Sequence, residues 1–140
     1  MTSLPRKLEA TLVDAAVRAR ARAYAPYSRF KVGAALLCAD GTVVTGCNVE
    51  NASYGLCICA ERTAVAAAVA AGHTRFRAIA VATGSAPPSP PCGMCRQVLV
   101  EFAPDMPIVL VGKGGARART TLKRLFPGTF TPALLASGRS

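Results

Sequence analysis

The chain has 140 residues, 51% hydrophobic and 17% charged, which suits one domain, 1–140, with a core large enough to need no disulfides. Its 17 Lys and Arg against 7 Asp and Glu give a net charge of +10, which raises nucleic acid as a partner, yet no aromatics interleave the basic residues to form a stacking platform, so solvated surface charge is the simpler reading. No stretch reaches membrane-spanning length and Met1-Thr2-Ser3-Leu4-Pro5-Arg6-Lys7 holds no apolar run, so a soluble cytoplasmic protein is expected.

Residues 4–23 predict a helix with Leu8, Leu12, Ala15, Ala16 and Ala19 on one face, ending before Pro26. Residues 31–38 and 42–48 flank Asp40-Gly41 as a hairpin, and the first strand is apolar on both alternating faces, so both sides of its sheet must be covered. A two-residue turn there sets Cys38 opposite Val43 and Cys47 opposite Ala34, about 13 Å apart along the strands, too far for a disulfide. Residues 60–71 predict an Ala/Val helix closed by Gly72, apolar all round except at Glu61 and Arg62, and therefore buried. A strand over 78–83, a proline-rich loop over 84–91, a helix over 92–102 stopped at Pro104, and a strand over 108–111 follow. A short helix over 121–126 precedes a tail that carries Phe126 and Phe130. Helices and strands alternating behind a leading hairpin give a three-layer α/β/α sandwich on a mixed sheet of about five strands.

The chemistry concentrates in Pro90-Pro91-Cys92-Gly93-Met94-Cys95 and an upstream Cys59-Ala60-Glu61, with 32 residues between Cys59 and Cys92. Three thiolates can hold a zinc ion and leave a fourth position open to water, while a carboxylate that is not a ligand moves protons. That is a hydrolytic centre. Cys59 starts one predicted helix, and Cys92 and Cys95 start another, where positions i and i+3 share a face. Helix N-termini favour thiolates, which lowers the cost of three negative ligands.

Glu61 alone reads as an ordinary complement to a helix dipole. Arg62 does not, since a cation in the first turn opposes the dipole and calls for an anionic partner; the sulfurs are at hand, and offsetting their charge restores Lewis acidity to the metal. Two rival readings fit less of the pattern. A closed four-thiolate site recruiting Cys57 leaves Glu61 without a purpose, and a thiol oxidoreductase using Cys92 and Cys95 leaves both Cys59 and Glu61 unexplained. Cys38 and Cys47 are most simply small core hydrophobes.

The runs Tyr24-Ala25-Pro26-Tyr27-Ser28-Arg29-Phe30-Lys31-Val32-Gly33-Ala34-Ala35-Leu36, Asn48-Val49-Glu50-Asn51-Ala52-Ser53-Tyr54, Cys59-Ala60-Glu61-Arg62-Thr63-Ala64 and Pro91-Cys92-Gly93-Met94-Cys95-Arg96-Gln97-Val98 resemble the small homotetrameric cytidine deaminases that act on free nucleosides. The likeness covers nearly the whole chain in order and spacing. Nucleic-acid-editing relatives usually carry His where this chain has Cys59 and lack Asn-Val-Glu-Asn; an RNA or DNA cytosine editor, using the basic surface and a flipped base, is the alternative.

The resemblance implies zinc on Cys59, Cys92 and Cys95, with Glu61 as proton shuttle. It implies the Asn48-Val49-Glu50 segment on the substrate, with Asn48 and Glu50 on ribose hydroxyls, Phe30 against the pyrimidine and the Ala60 N–H at the base carbonyl. Tyr54 serves the ligand or the subunit interface, and Phe130 is lent by a neighbouring subunit of a homotetramer with shared active sites. The implied reaction is hydrolytic deamination of cytidine and 2′-deoxycytidine to uridine and 2′-deoxyuridine plus ammonia, a step of pyrimidine salvage. Read from the residues alone, Phe30 also fits a core position before a strand and Asn48 a turn former. Glu50 is harder to dismiss, because carboxylates are few and it lies one loop before the site.

Overall fold

Five strands form one sheet in the order β2-β1-β3-β4-β5 in the computed structural model, which describes residues 4–139. The part of the leader reading that falls on Met1-Thr2-Ser3 lies outside the described residues. Helix α1 is Arg6–Arg20, the hairpin strands are β1 Gly33–Cys38 and β2 Val43–Cys47, and α2 is Ala60–Ala70. Strand β3 Phe76–Ala82, helix α3 Gly93–Phe102 and strand β4 Pro107–Val111 make a parallel crossover unit, followed by β5 Arg117–Thr121, α4 Leu122–Leu125 and α5 Pro132–Ser137. Every pairing except β3 with β4 is antiparallel, so the sheet is mixed.

Strand residues alternate between two cores, as period-two side chains must. Ala35 and Leu37 of β1, Ala78 and Ala80 of β3 and Val109 of β4 face α1, meeting Leu12, Val13 and Ala16. Their neighbours Ala34, Leu36, Ile79, Val81 and Ile108 face the opposite layer, against Ala64 and Val65 of α2, Leu99 of α3 and Leu122 of α4. Every residue of β1 is buried, because a helix covers each side of it. The two helices nearest the hairpin approach through glycine. A Cβ on Gly33 would sit 2.1 Å from the Ala16 carbonyl oxygen of α1, and one on Gly46 would sit 2.4 Å from the Ala64 nitrogen of α2.

Two expectations are corrected. The hairpin is one residue longer at its turn: Leu37 pairs with Val43 and Gly33 with Cys47, and the Cys38 N–H donates to the Thr42 carbonyl at 2.8 Å. Asp40 accepts from the Thr42 N–H through its side chain and Gly41 takes φ 92°, which makes a three-residue loop more favourable than a two-residue one. A one-residue slip exchanges faces, so Cys38 and Cys47 now point to opposite sides of the sheet; all six cysteines are free.

Helix α2 is not buried all round. It lies in an outer layer, where only half its circumference can meet the sheet, and Ala66, Ala67, Val69 and Ala70 are exposed. The run 117–121, where the sequence pattern predicts no separate element, is an edge strand, the place in a sheet where charges are favoured. No helix among the described residues is long and apolar enough to cross a membrane.

Those arginines close the fold. Glu9 on α1 is 6% exposed, and Arg119 grips it as a fork, Nε to Oε1 at 2.7 Å and Nη2 to Oε2 at 2.8 Å, while Arg117 Nη1 donates to Oε2 at 3.1 Å. Hydrogen bonds from Arg119, ahead of those from Arg117, hold the Glu9 carboxyl below its ordinary value of 4.5. A depressed folded pKa gives stability that is complete above the unfolded value and vanishes as pH falls through the folded one. Glu9→Gln should therefore lower stability at neutral pH by on the order of 1 kcal/mol, since both arginines can turn to solvent. Denaturant titrations of parent and variant should converge once the pH drops well below 4.5; a gap that persists there would mean that the carboxylate charge is not what binds β5 to α1.

Candidate active site

Cys59 is the N-cap of α2 and Cys92 the N-cap of α3, both with extended backbone, and Cys95 lies in the first turn of α3. The two helix starts aim their sulfurs at one point. Cys59 Sγ is 3.6 Å from Cys92 Sγ, which is 3.4 Å from Cys95 Sγ, and all three lie within 4.8 Å of one another. Cys57 stands outside this group, its sulfur accepting from the Asn51 N–H at 3.4 Å. Arg96, the residue after Cys95, fixes the approach to Cys92: its Nε donates to the Pro91 carbonyl at 2.8 Å and its Nη1 to the Leu125 carbonyl at 2.6 Å.

The electrostatics match a site built for negative sulfur. Arg62 Nη2 donates to Cys59 Sγ at 3.5 Å, while its Nε is buried with no partner among the described residues. Hydrogen bonding from Cys95, then from Arg62 and Cys92, pulls the Cys59 thiol down to about 5, and the same bond with burial pushes Cys95 up. Glu61, only 4% exposed, makes no salt bridge among the described residues, and desolvation raises it to about 7 against the opposing charge of Arg62.

Glu61, Cys59 and Cys92 line a cavity of about 300 Å³, a size that accepts a small heterocycle with its substituent. Val81 of β3 and Thr83 just beyond it also line the cavity, with Ser89 and Pro90 of the loop before α3. The rest of the lining is Ser28, Phe30, Val32, Asn48 and Glu50. Asn48 Oδ1 accepts from the Val32 N–H and Asn48 Nδ2 donates to the Phe30 carbonyl, each at 2.8 Å, which leaves one amide hydrogen unused. Glu50 Oε1 accepts from the Tyr27 and Ser28 N–H groups at 2.9 and 3.1 Å, and Oε2 accepts from the Ser28 hydroxyl. These bonds, that from the Ser28 hydroxyl first, keep the Glu50 carboxyl below its ordinary value.

Ala60, fully buried, is the first residue of α2, where the backbone N–H has no acceptor within the helix. The remaining candidates lie off the cavity within one chain. Val49 is half exposed and bridges to Tyr24 and Ile58 through its backbone. Tyr54, 72% exposed, meets Tyr27 edge-on with centroids 5.8 Å apart and lines a neighbouring cavity with Cys57. Phe130 is 56% exposed, its carbonyl accepting from Gln97 Nε2 at 2.9 Å. Sequence reasoning passed over Ser28, Thr83, Ser89 and Arg96. Thr83 left a signal, a polar residue ending an apolar strand; Ser28, Ser89 and Arg96 left none beyond proximity to a motif.

Residues 6–111 match the family model described as the cytidine and deoxycytidylate deaminase zinc-binding region. A cytidine deaminase of Halalkalibacterium halodurans is 50% identical over 121 residues, which cover 86% of this chain and 92% of that protein. Another, of Sporosarcina psychrophila, is 47% identical over 121 residues, 86% of this chain and 89% of that protein. The solved structure of a cytidine deaminase from Burkholderia pseudomallei has a TM-score of 0.84 at 50% identity and covers 91% of this chain and 100% of its own. The chain therefore belongs to the cytidine and deoxycytidylate deaminase family.

Proposed function

We propose that this protein is a zinc-dependent enzyme that hydrolyses the exocyclic C–N bond of cytidine and 2′-deoxycytidine, releasing ammonia and the corresponding uridine. The observation that carries the reading is a buried carboxylate, Glu61, without a salt bridge among the described residues and lining the same cavity as two of the three converging sulfurs. Three soft donors within 4.8 Å of one another and an arginine turned toward them suit zinc, which Cys59, Cys92 and Cys95 would hold. When bound, the ion supplies the Lewis acidity that makes water a nucleophile near neutral pH.

The chain's own groups do the rest. Glu61 accepts a proton from the attacking water and returns it to N3 of the pyrimidine as the oxygen joins C4; it then carries the second proton to the amino group, which leaves as ammonia. Its burial disfavours the charged form and so keeps the proton transferable. Phe30 covers the base, the Ala60 N–H meets the base carbonyl, and the spare amide hydrogen of Asn48 and the remaining lone pair of Glu50 take the sugar hydroxyls, alongside Val49. A redox dithiol at Cys92 and Cys95 has no use for a third sulfur or for Glu61, and a pocket that grips sugar hydroxyls favours free nucleosides over strands.

The same reading extends to assembly. The active form is a homotetramer in which Phe130, with Tyr54, completes the cavity of a neighbouring subunit; the exposure of both rings and the outward apolar side of α2 support it. The enzyme works in the cytoplasm, in pyrimidine salvage.

Metal analysis should find one zinc per chain, retained in Cys57→Ser and lost or weakened in Cys59→Ser, Cys92→Ser and Cys95→Ser. Loss from Cys57→Ser alone would instead establish a closed four-sulfur site. Glu61→Gln should keep its zinc and its melting transition yet lose turnover by about 10²- to 10⁴-fold, read from the ultraviolet change of cytidine, because the amide cannot carry a proton. Turnover within a few-fold of the parent would remove Glu61 from the role. Phe130→Ala should raise KM for cytidine with zinc content intact, and dilution should reduce activity as the assembly dissociates. A stable monomer in sedimentation that keeps full turnover would defeat the shared site.

A further inference from the structure

The part of the cavity lining that comes from residues 28–32 has almost no secondary structure of its own. Residues 25–32 lie between α1 and β1 and are tied down by side chains from the segment that follows β2: Asn48 holds the backbone of Phe30 and Val32, and Glu50 holds that of Tyr27 and Ser28. Between the two anchors Arg29 adopts φ 59°, a left-handed conformation that a β-carbon disfavours. The loop does not take this shape by local preference; outside contacts impose it.

Ser28 joins the two anchors. Its hydroxyl donates to Glu50 Oε2 and accepts from the Phe30 N–H at 3.0 Å, a continuous path from the backbone beneath the base-covering ring to the carboxylate. Ser28 and Glu50 also line both cavities, so the pair forms the partition between them. Oε1 is already saturated by two backbone N–H groups, and the one free acceptor position lies on Oε2, the oxygen that the Ser28 hydroxyl holds. Without that hydroxyl, Oε2 can rotate toward the neighbouring cavity and away from a bound sugar.

We propose that Ser28 is a positioning residue for sugar recognition, acting through Glu50: its hydroxyl aims the free lone pair of Oε2 at a sugar hydroxyl of the bound nucleoside. The inference rests on the reading of Glu50 as a sugar contact. It implies a binding effect confined to substrates that carry the hydroxyl, which a merely structural role for Ser28 would not produce.

The test compares cytidine with 2′,3′-dideoxycytidine in the zinc-loaded parent and in Ser28→Ala, Ser28→Thr and Glu50→Gln. Ser28→Ala should raise KM for cytidine about tenfold with kcat within about twofold, and leave KM for the dideoxynucleoside unchanged. Ser28→Thr, which keeps the hydroxyl, should restore most of the loss. Should the alanine protein not accumulate, Ser28→Cys, of similar size and weak as a donor, replaces it with the same expectation. An unchanged KM for cytidine in Ser28→Ala, beside a raised one in Glu50→Gln, overturns the role of Ser28 and leaves Glu50 as the sugar contact. An equal penalty on both substrates in Ser28→Ala, or a loss in kcat alone, also overturns it, because the hydroxyl then supports the loop in general. If Glu50→Gln affects both substrates equally, the sugar reading of Glu50 fails and this inference fails with it.

Discussion

Three sulfurs within 4.8 Å of one another cannot all carry charge unless something nearby carries the opposite sign. Much of the molecule is arranged around that constraint. Two helices start at the cluster, each presenting the positive end of its dipole, and Arg62 donates to Cys59 from the first turn of α2. One helix N-terminus would serve two of the sulfurs; the third requires a second helix delivered to the same point from another part of the sheet. That delivery depends on packing as much as on charge, since α2 reaches its place only because Gly46 presents no β-carbon to the Ala64 backbone.

Glu61 shows the opposite use of the same surroundings. Arg62, next to it in sequence, donates to sulfur, no salt bridge to Glu61 is formed among the described residues, and burial raises the carboxyl's proton affinity. Adjacent residues on one helical turn thus face different problems, and geometry alone separates them: one reaches outward across the sulfurs, the other into the cavity. Burial raises Glu61 while hydrogen bonds lower Cys59, and groups shifted in opposite directions within one cavity mark a site where protons move.

The segment before β1 is held by side chains in place of a ladder. Asn48 commits two hydrogen bonds to the backbone of residues 30–32, and Glu50 commits three to Tyr27 and Ser28, which leaves it one acceptor position for a ligand. Recognition and loop structure are therefore coupled, and a change in either residue alters both. Far from the site, Glu9 performs the same kind of work, binding the arginines of β5 to α1 and closing the edge of the sheet. The high positive charge is in part structural, since two of the arginines are committed to that one carboxylate.

What the sequence determined by itself was everything encoded at short range. Hydrophobic periodicity located α1, β1, β3, β4 and the start of α3 within a few residues, and the Cys-x-x-Cys with Cys-Ala-Glu identified the residues that the fold gathers at one point. Its errors arose where the deciding partner is remote. The hairpin register turned on how the Asp40 side chain and Gly41 share one turn; β5 was not predicted, and the partner of its arginines, Glu9, is more than a hundred residues away. The exposed side of α2 could not be seen in a pattern that is apolar all round. Ser28 and Arg96 stood in full view within recognisable runs, yet their roles are hydrogen bonds to Glu50 and to the Leu125 carbonyl. Only the tertiary structure decides such contacts, because a side chain's type records what it can bind, while its partner is set by which distant backbone the packing brings within about 3 Å.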